Sequence, residues 1–258
     1  MEYNNKPRIS VAMNRLFSKI WPYPLELGKA TSAKMSINTL NTHSFICALE
    51  DPEFFNALLK SDILLPDGVG IVLGLRFLYK QKVNKIAGYD LFEHEMENLE
   101  KSKGKCFFLG SSTNVLNLIA KRANIDYPHV KIGFYSPPFE SQFTKEENDS
   151  MIQAVNSFSP DVLFIGLTAP KQEKWAFSNI NDLNARHVCS IGAVFNFYAG
   201  TRKRAPKWMI NNGLEWFFRL ITEPRRMWKR YLLNNFKFIL LVIKEKSKMK
   251  SPKLEKGN

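Results

Sequence analysis

In "SDILLPDGVGIVLG", residues 61–74, the apolar run from Ile63 to Pro66 reads as a short buried strand, and Asp67 and Gly68 follow at once. An ionised carboxylate at the edge of an apolar core is costly unless something hydrogen-bonds it or chemistry uses it. Asp67 is therefore a candidate general base, able to take the proton of an attacking hydroxyl. Asp-Gly after a strand also builds an ordinary turn, and residue types alone leave both readings open.

Other reactive types are sparse. The four histidines, His43, His94, His129 and His187, show no metal-ligand spacing, and no Asp-x-Asp occurs, so neither a metal nor a cofactor is expected. Cys47, Cys106 and Cys189 lie far apart, the last two in apolar runs, as buried reduced thiols do. Three apolar runs end in small or polar residues that could cradle phosphate: Gly110, Ser111 and Ser112; Gly166, Leu167 and Thr168; Gly192 and Ala193. Each alone is equally a tight turn with an N-cap.

These residues need a scaffold, and the chain alternates strand-length with helix-length segments. Strands are predicted at 34–40, 62–66, 105–110, 129–135, 161–167 and 187–194, and helices at 88–102, 112–123, 144–158 and 170–185. This alternation predicts an α/β fold, Rossmann-like, with a mostly parallel sheet flanked by helices and ligands at the carboxyl ends of its strands.

Charge divides the chain. Residues 1–201 carry 21 Lys+Arg against 20 Asp+Glu, and residues 202–258 carry 16 against 4, so +12 of the net +13 sits in the last fifth. A neutral body with a basic end implies an anionic partner such as phospholipid, nucleic acid or a phosphorylated substrate. In this end, Trp208, Trp216, Phe217, Trp228, Tyr231 and Phe236 are interleaved with arginine and lysine, the composition of interfacial helices. Its longest apolar run, Phe236 to Ile243, falls short of the roughly 20 residues that span a bilayer, and the first residues lack the apolar core of a secretory signal. The expected divisions are an N-terminal arm (1–33), an α/β catalytic domain (34–201), a basic helical C-terminal appendage (202–246) and a disordered basic tail (247–258).

Seven blocks in order resemble one family: "TLNTHS" (39–44), "DILLPDGVGIV" (62–72), "NKIAGYDLF" (84–92), "FFLGSS" (107–112), "DVLFIGLTAPKQEKW" (161–175), "IGAVFNFYAGTRKRAPKWM" (191–209) and "GLEWFFRLITEPRRMWKRY" (213–231). They are similar to the bacterial WecG/TagA/CpsF glycosyltransferases, glycosyltransferase family 26. The resemblance implies an inverting, metal-independent enzyme of surface or capsular polysaccharide assembly. It would move a sugar (N-acetylmannosamine-type, glucosyl or glucuronosyl) from a UDP-sugar to a polyprenyl-diphosphate-linked acceptor. The C-terminal appendage would then place a cytoplasmic protein peripherally on the anionic inner face of the membrane; self-association into a homo-oligomer is left open.

By the same resemblance Asp67 is the general base, and Thr39 and Asn41 stand at the family's active-site threonine and asparagine. Lys85 replaces a frequent arginine at a diphosphate position, keeping the cation without the bidentate fork. Lys171 and Gln172 join Gly110 and Ser111 at the nucleotide side, and Arg219, Arg225 and Arg226 are candidates to close over the donor diphosphate or, equally on sequence, to bind lipid phosphate. One departure is Asn196, where the family usually has aspartate: a hydrogen-bonding role survives there and a base role does not. Asn196 motivates an alternative, a weakened relative that binds nucleotide sugar or lipid-linked glycan. No recognised nucleic-acid-binding motif accompanies the basic pI of ≈ 9.6, so no nucleic-acid partner is expected.

Overall fold

A computed structural model of the protein describes residues 9–22 and 34–250. Helix α1 (Ile9–Ser18) precedes strand β1 (Met35–Leu40), helices α2 (Thr42–Glu50) and α3 (Pro52–Leu59), and strand β2 (Ile63–Pro66). Helices α4 (Val69–Tyr79) and α5 (Gly88–Ser102) lead to β3 (Lys105–Gly110), α6 (Thr113–Asp126), β4 (Lys131–Tyr135), α7 (Lys145–Phe158), β5 (Val162–Gly166), α8 (Lys171–Asn179) and β6 (His187–Ser190). Helix α9 (Val194–Tyr198) closes the neutral part, and the basic end is helical: α10 (Lys207–Asn211), α11 (Glu215–Thr222), α12 (Pro224–Trp228), a π-helical turn (Lys229–Leu233) and α13 (Asn234–Lys250).

The six strands form one parallel sheet in the order β2-β1-β6-β5-β3-β4, with Leu40 level with Pro66 and Gly110 level with Gly166. Parallel strands covered on both faces read as continuous apolar runs, and "ILLP" and "VLFI" are buried throughout. Phe92, Phe108, Phe164 and Phe195 fill one face, Leu109, Met151, Leu163 and Trp175 the other. A third cluster, under α1 to α4, takes in Phe238 and Val242 of α13, so the basic end shares this core.

All six strands lie where the sequence places them. The last is shorter than expected: β6 stops at Ser190, and Val194 starts α9 because Gly192, at φ +48°, turns the backbone out of the extended region. Of the expected arm, residues 9–18 are helical and Ile20 bridges to Leu64 beside the sheet. Of the expected tail, residues 247–250 continue α13, and the remainder lies outside the described residues.

Candidate active site

Asp67 is fixed from both sides. Its N–H donates to the Leu40 carbonyl at 2.9 Å, extending the β1/β2 ladder, and the Pro66 carbonyl accepts from the Ile86 N–H at 3.0 Å. The next residue, Gly68, has φ +100°, a conformation that only glycine adopts without strain, and it begins α4. The strand thus delivers the carboxylate to its carboxyl end, and the glycine turns the chain away from it.

Asn41 holds Asp67 from the side. As N-cap of α2, its Oδ1 accepts from the Ser44 N–H (2.9 Å) and Ser44 Oγ (3.1 Å), which leaves Nδ2 to donate to Asp67 Oδ2 at 3.4 Å. The cap fixes the amide's orientation, so its N–H rather than its oxygen faces the carboxylate. Asp67 is pushed above the ordinary carboxylate range, first by burial and then by the Glu215 carboxylate; Lys85, Arg230 and Asn41 pull the other way. A carboxylate in that balance is a better proton acceptor than one in water.

Around it lies a cavity of about 910 Å³ between the carboxyl ends of β1 and β2 and the basic helical end of the chain. Its polar part holds Asn41, Asp67 and Lys85 from the body, with Glu215, Arg219, Arg230, Tyr231 and Asn235 from the basic end. Lys85 Nζ pairs with Glu215 Oε2 at 3.4 Å. The Nε atoms of Arg219 and Arg230 are buried without hydrogen-bond partners, and burial, with repulsion from Arg219, lowers the Arg230 pKa while Tyr231 and then Asp67 oppose. Buried donors without partners are rare in folded proteins, and two beside a carboxylate mark a place for anionic oxygens.

Helix α13, which continues the turn that carries Arg230, is tied to the same short segment that holds Asp67. Thr42 Oγ1 donates to Asn235 Oδ1, and Asn234 Nδ2 contacts His43 Nδ1 at 2.6 Å. Burial, with Arg230 second, lowers the His43 pKa to about 4, so this imidazole is neutral near pH 7. The start of α2 therefore sets Asn41 against Asp67 and fastens α13 with the next two residues.

Of the residues singled out from sequence, Asp67, Asn41, Lys85 and Arg219 line this cavity; Thr39, Gly110, Ser111, Lys171, Gln172, Asn196, Arg225 and Arg226 do not. Thr39 lies in β1, level with Leu65. Gly110 (φ +117°) and Ser111 (φ +62°) end β3 farther along the same edge, where a Cβ on Gly110 would sit 2.8 Å from the Gly166 carbonyl carbon. Lys171 folds over the Phe143 ring, 3.3 Å from its centroid, and donates to the Glu140 carbonyl. Gln172 is buried, donates to Glu173 Oε1 at 2.9 Å, and keeps an unpartnered Oε1 beside Gly192. Asn196 Oδ1 accepts from Thr201 Oγ1 at 3.1 Å, shaping the turn after α9. Arg226 pairs with Glu223 at 2.6 Å, and Arg225 is exposed.

Glu215, Arg230 and Tyr231 were not singled out by their chemistry, although all three lie within "GLEWFFRLITEPRRMWKRY". Glu215 opens α11, whereas Arg230 and Tyr231 owe their facing to the π-helical turn at Lys229–Leu233, which adds a residue to the helical register and turns both toward the cavity of Asp67. No sequence periodicity announces such a turn. Among the described residues no group of three His, Cys, Asp or Glu side chains converges to hold a metal, and no helix is long and apolar enough to cross a membrane.

Known proteins share this arrangement of sequence. The glycosyl transferase WecG/TagA/CpsF family model matches residues 23–252. An N-acetylglucosaminyldiphosphoundecaprenol N-acetyl-beta-D-mannosaminyltransferase of Bacillus subtilis (strain 168) is 34% identical over 225 residues, covering 86% of this chain and 85% of its own length. Proteins of the same description from Bacillus spizizenii and Staphylococcus aureus (strain NCTC 8325 / PS 47) are 29% and 23% identical, over 84% and 82% of this chain and 81% and 82% of theirs. A match over nearly the whole chain, spanning both the sheet that carries Asp67 and the helices that close the cavity, makes this protein a glycosyltransferase of the WecG/TagA/CpsF family.

Proposed function

We propose that the protein transfers a sugar of the N-acetylmannosamine type from a UDP-sugar to a polyprenyl-diphosphate-linked glycan, with inversion, and that Asp67 is the general base. The supporting observation is the cavity itself, in which a raised-pKa carboxylate faces Lys85, Arg219 and Arg230 across one polar space. The acceptor hydroxyl oxygen attacks the anomeric carbon and its proton passes to Asp67. The bond from that carbon to the donor phosphate breaks, and its electron pair leaves with the nucleoside diphosphate. Charge grows on the departing diphosphate, where fixed cations lower the barrier more than mobile solvent does. Lys85 is held by Glu215 at 3.4 Å until a diphosphate competes for it, and the two arginines present unpartnered N–H groups.

The donor's nucleotide is assigned to the same carboxyl edge of the sheet, across the ends of β6 and β5 and over Gln172, Gly110 and Ser111. The chain is assigned to the cytoplasmic face of the membrane as a peripheral protein. Exposed Trp208, Trp228, Phe236 and Leu240 beside a +12 segment support that placement, since each basic residue near an anionic surface contributes on the order of 1 kcal/mol. The relatives named above act on an N-acetylglucosaminyl-diphosphoundecaprenol acceptor by their descriptions, which favours the same acceptor class here. The test is to incubate the purified chain with a panel of UDP-sugars and a short-chain polyprenyl diphosphate bearing N-acetylglucosamine. Release of UDP with addition of one sugar of inverted configuration is expected; absence of product with every donor overturns the reading.

A further inference from the structure

The cavity does not end at its polar part. Helices α4 and α13 both begin beside Asp67 and run outward side by side, Gly74 against Phe238 and the Leu78 carbonyl against Lys246, and between them the walls turn apolar. Leu73 and Phe77 of α4 face Ile239 and Ile243 of α13 across the space, and Phe238 and Val242 form its floor. These positions recur at helical spacing, so each helix turns one apolar stripe toward the other. The four wall residues are about half exposed, whereas the two floor residues are buried.

Small residues keep this trough open and its floor close. A Cβ on Gly74 would sit 3.1 Å from the Phe238 ring, and one on Gly70 would lie 2.4 Å from Thr42 Cγ2. From Val69 to Phe77 the trough runs about 12 Å along α4, the rise of eight helical residues. Cations stand at its far end: Arg76 lines it, and Lys246 Nζ, held by the Leu78 carbonyl at 3.0 Å, lies 5.5 Å from the Phe77 ring centroid. The whole is therefore amphiphilic, with buried guanidinium groups and a carboxylate at one end, an apolar channel next, and basic side chains where the channel opens.

We propose that the trough between α4 and α13 seats the first isoprene units of the acceptor's lipid, so that the enzyme reads the polyprenyl chain as well as the sugar and diphosphate. The proposal rests on the acceptor class assigned above and extends it to the lipid. An acceptor whose hydroxyl reaches Asp67 must carry its diphosphate, and then its lipid, away along the same cavity. The outward direction that the cavity offers is the apolar one. The roughly 12 Å from Val69 beside Asp67 to Phe77 also has to take the acceptor's diphosphate, which leaves the stretch walled by Leu73, Phe77, Ile239 and Ile243 for the isoprenes nearest the diphosphate and not for a long chain, whose remainder continues past Arg76 and Lys246 into the bilayer. Water would otherwise cover Leu73, Phe77, Ile239 and Ile243, and an apolar chain lying there removes that contact.

The test reads binding alone and needs no sugar transfer, so it stands apart from the turnover assay. The full-length chain is titrated in vesicle-free buffer with inorganic diphosphate, dimethylallyl diphosphate (one isoprene) and farnesyl diphosphate (three), all as dispersed monomers. Farnesyl diphosphate should bind at least about tenfold more tightly than dimethylallyl diphosphate, because two further isoprenes leave water. Ile239→Glu should erase that preference while affinity for inorganic diphosphate stays within about threefold. Leu73→Trp fills the trough without removing apolar surface, and should erase the preference while binding to phosphatidylglycerol vesicles persists. Both positions are half exposed, so neither change threatens the core. Equal affinity of wild type for the two prenyl diphosphates, or variants that keep the preference, would overturn the proposal. So would variants that keep the preference but lose vesicle binding or change sedimentation, which would give the face to the bilayer surface or to a second copy of the chain.

Discussion

At the scale of single residues, the active-site proposal turns on one carboxylate whose neighbours disagree about its charge. Burial and Glu215 favour protonated Asp67; Lys85, Arg230 and Asn41 favour the ionised form. The acidic limb of kcat/KM should therefore lie above the ordinary carboxylate range. Glu215→Gln removes the like charge and frees Lys85, both of which lower the Asp67 pKa, so the limb should move to lower pH; an unmoved limb would disconnect Glu215 from the base. Glu173 offers a stability counterpart. Burial raises its pKa to about 7, with Gln172 opposing through the 2.9 Å hydrogen bond, and its Oε2 has no partner. A carboxyl whose folded pKa exceeds its unfolded value binds more protons when folded, so stability is lost as pH rises from the unfolded value toward about 7. Glu173→Gln should be near neutral at pH 5 and stabilising at pH 8 by up to about 3 kcal/mol, read from urea midpoints at the two pH values. Asp67 was legible from sequence because a charge after an apolar strand has to be explained. Glu215 and Arg230 were not, because charged residues on a basic helical segment look like solvated surface until the fold turns them inward.

At the scale of elements, the sheet was the most legible part. Parallel strands are short apolar runs with sharp ends, and such runs mark all six strands, the half-exposed edge strand β4 included. The boundary that differs most, at Ser190, is where a left-handed glycine redirects an apolar sequence that alone would extend a strand. The arginine positions were harder. Arg219, Arg225 and Arg226 are alike in type, yet Glu223 engages Arg226 and solvent takes Arg225, while Arg219 and the unsuspected Arg230 line the cavity. Facing is set by helix breaks at Pro224 and by the π-helical turn, which composition does not encode. The docking of α13 rests on Phe238, whose ring packs 5.3 Å from that of Phe45 and 6.4 Å from that of Phe17. Ser10 of α1 adds a hydrogen bond to Glu245 at 2.5 Å. Phe238→Ala should cost roughly 3–5 kcal/mol and lower Tm by on the order of 10 °C. Catalysis should fall further than folding, since the same ring places α13 over the site; full turnover in the folded variant would show that α13 need not be seated.

At the scale of the whole molecule, a neutral α/β body and a basic helical end meet at one cavity, so the proposed surface attachment would lie beside the proposed chemistry. The +12 segment should hold the protein on anionic vesicles in low salt and release it as ionic strength rises, because exposed charges are screened beyond a Debye length of about 10 Å at 0.1 M. Salt-independent attachment would point to apolar insertion as the dominant contact. Lys85, Arg219 and Arg230 line one cavity beside Asp67, where the donor diphosphate is proposed to lie, so transfer activity should survive EDTA; loss restored by Mg²⁺ or Mn²⁺ would reveal a metal requirement that these cations do not meet. The most direct measurement is single-turnover transfer by Asp67→Asn with saturating UDP-sugar and a short, soluble polyprenyl-diphosphate acceptor, alongside donor affinity. Asparagine keeps the shape of Asp67 and cannot take the proton, so the account predicts unchanged donor binding with the chemical step slowed at least about 100-fold. A rate within a few-fold of wild type would contradict it.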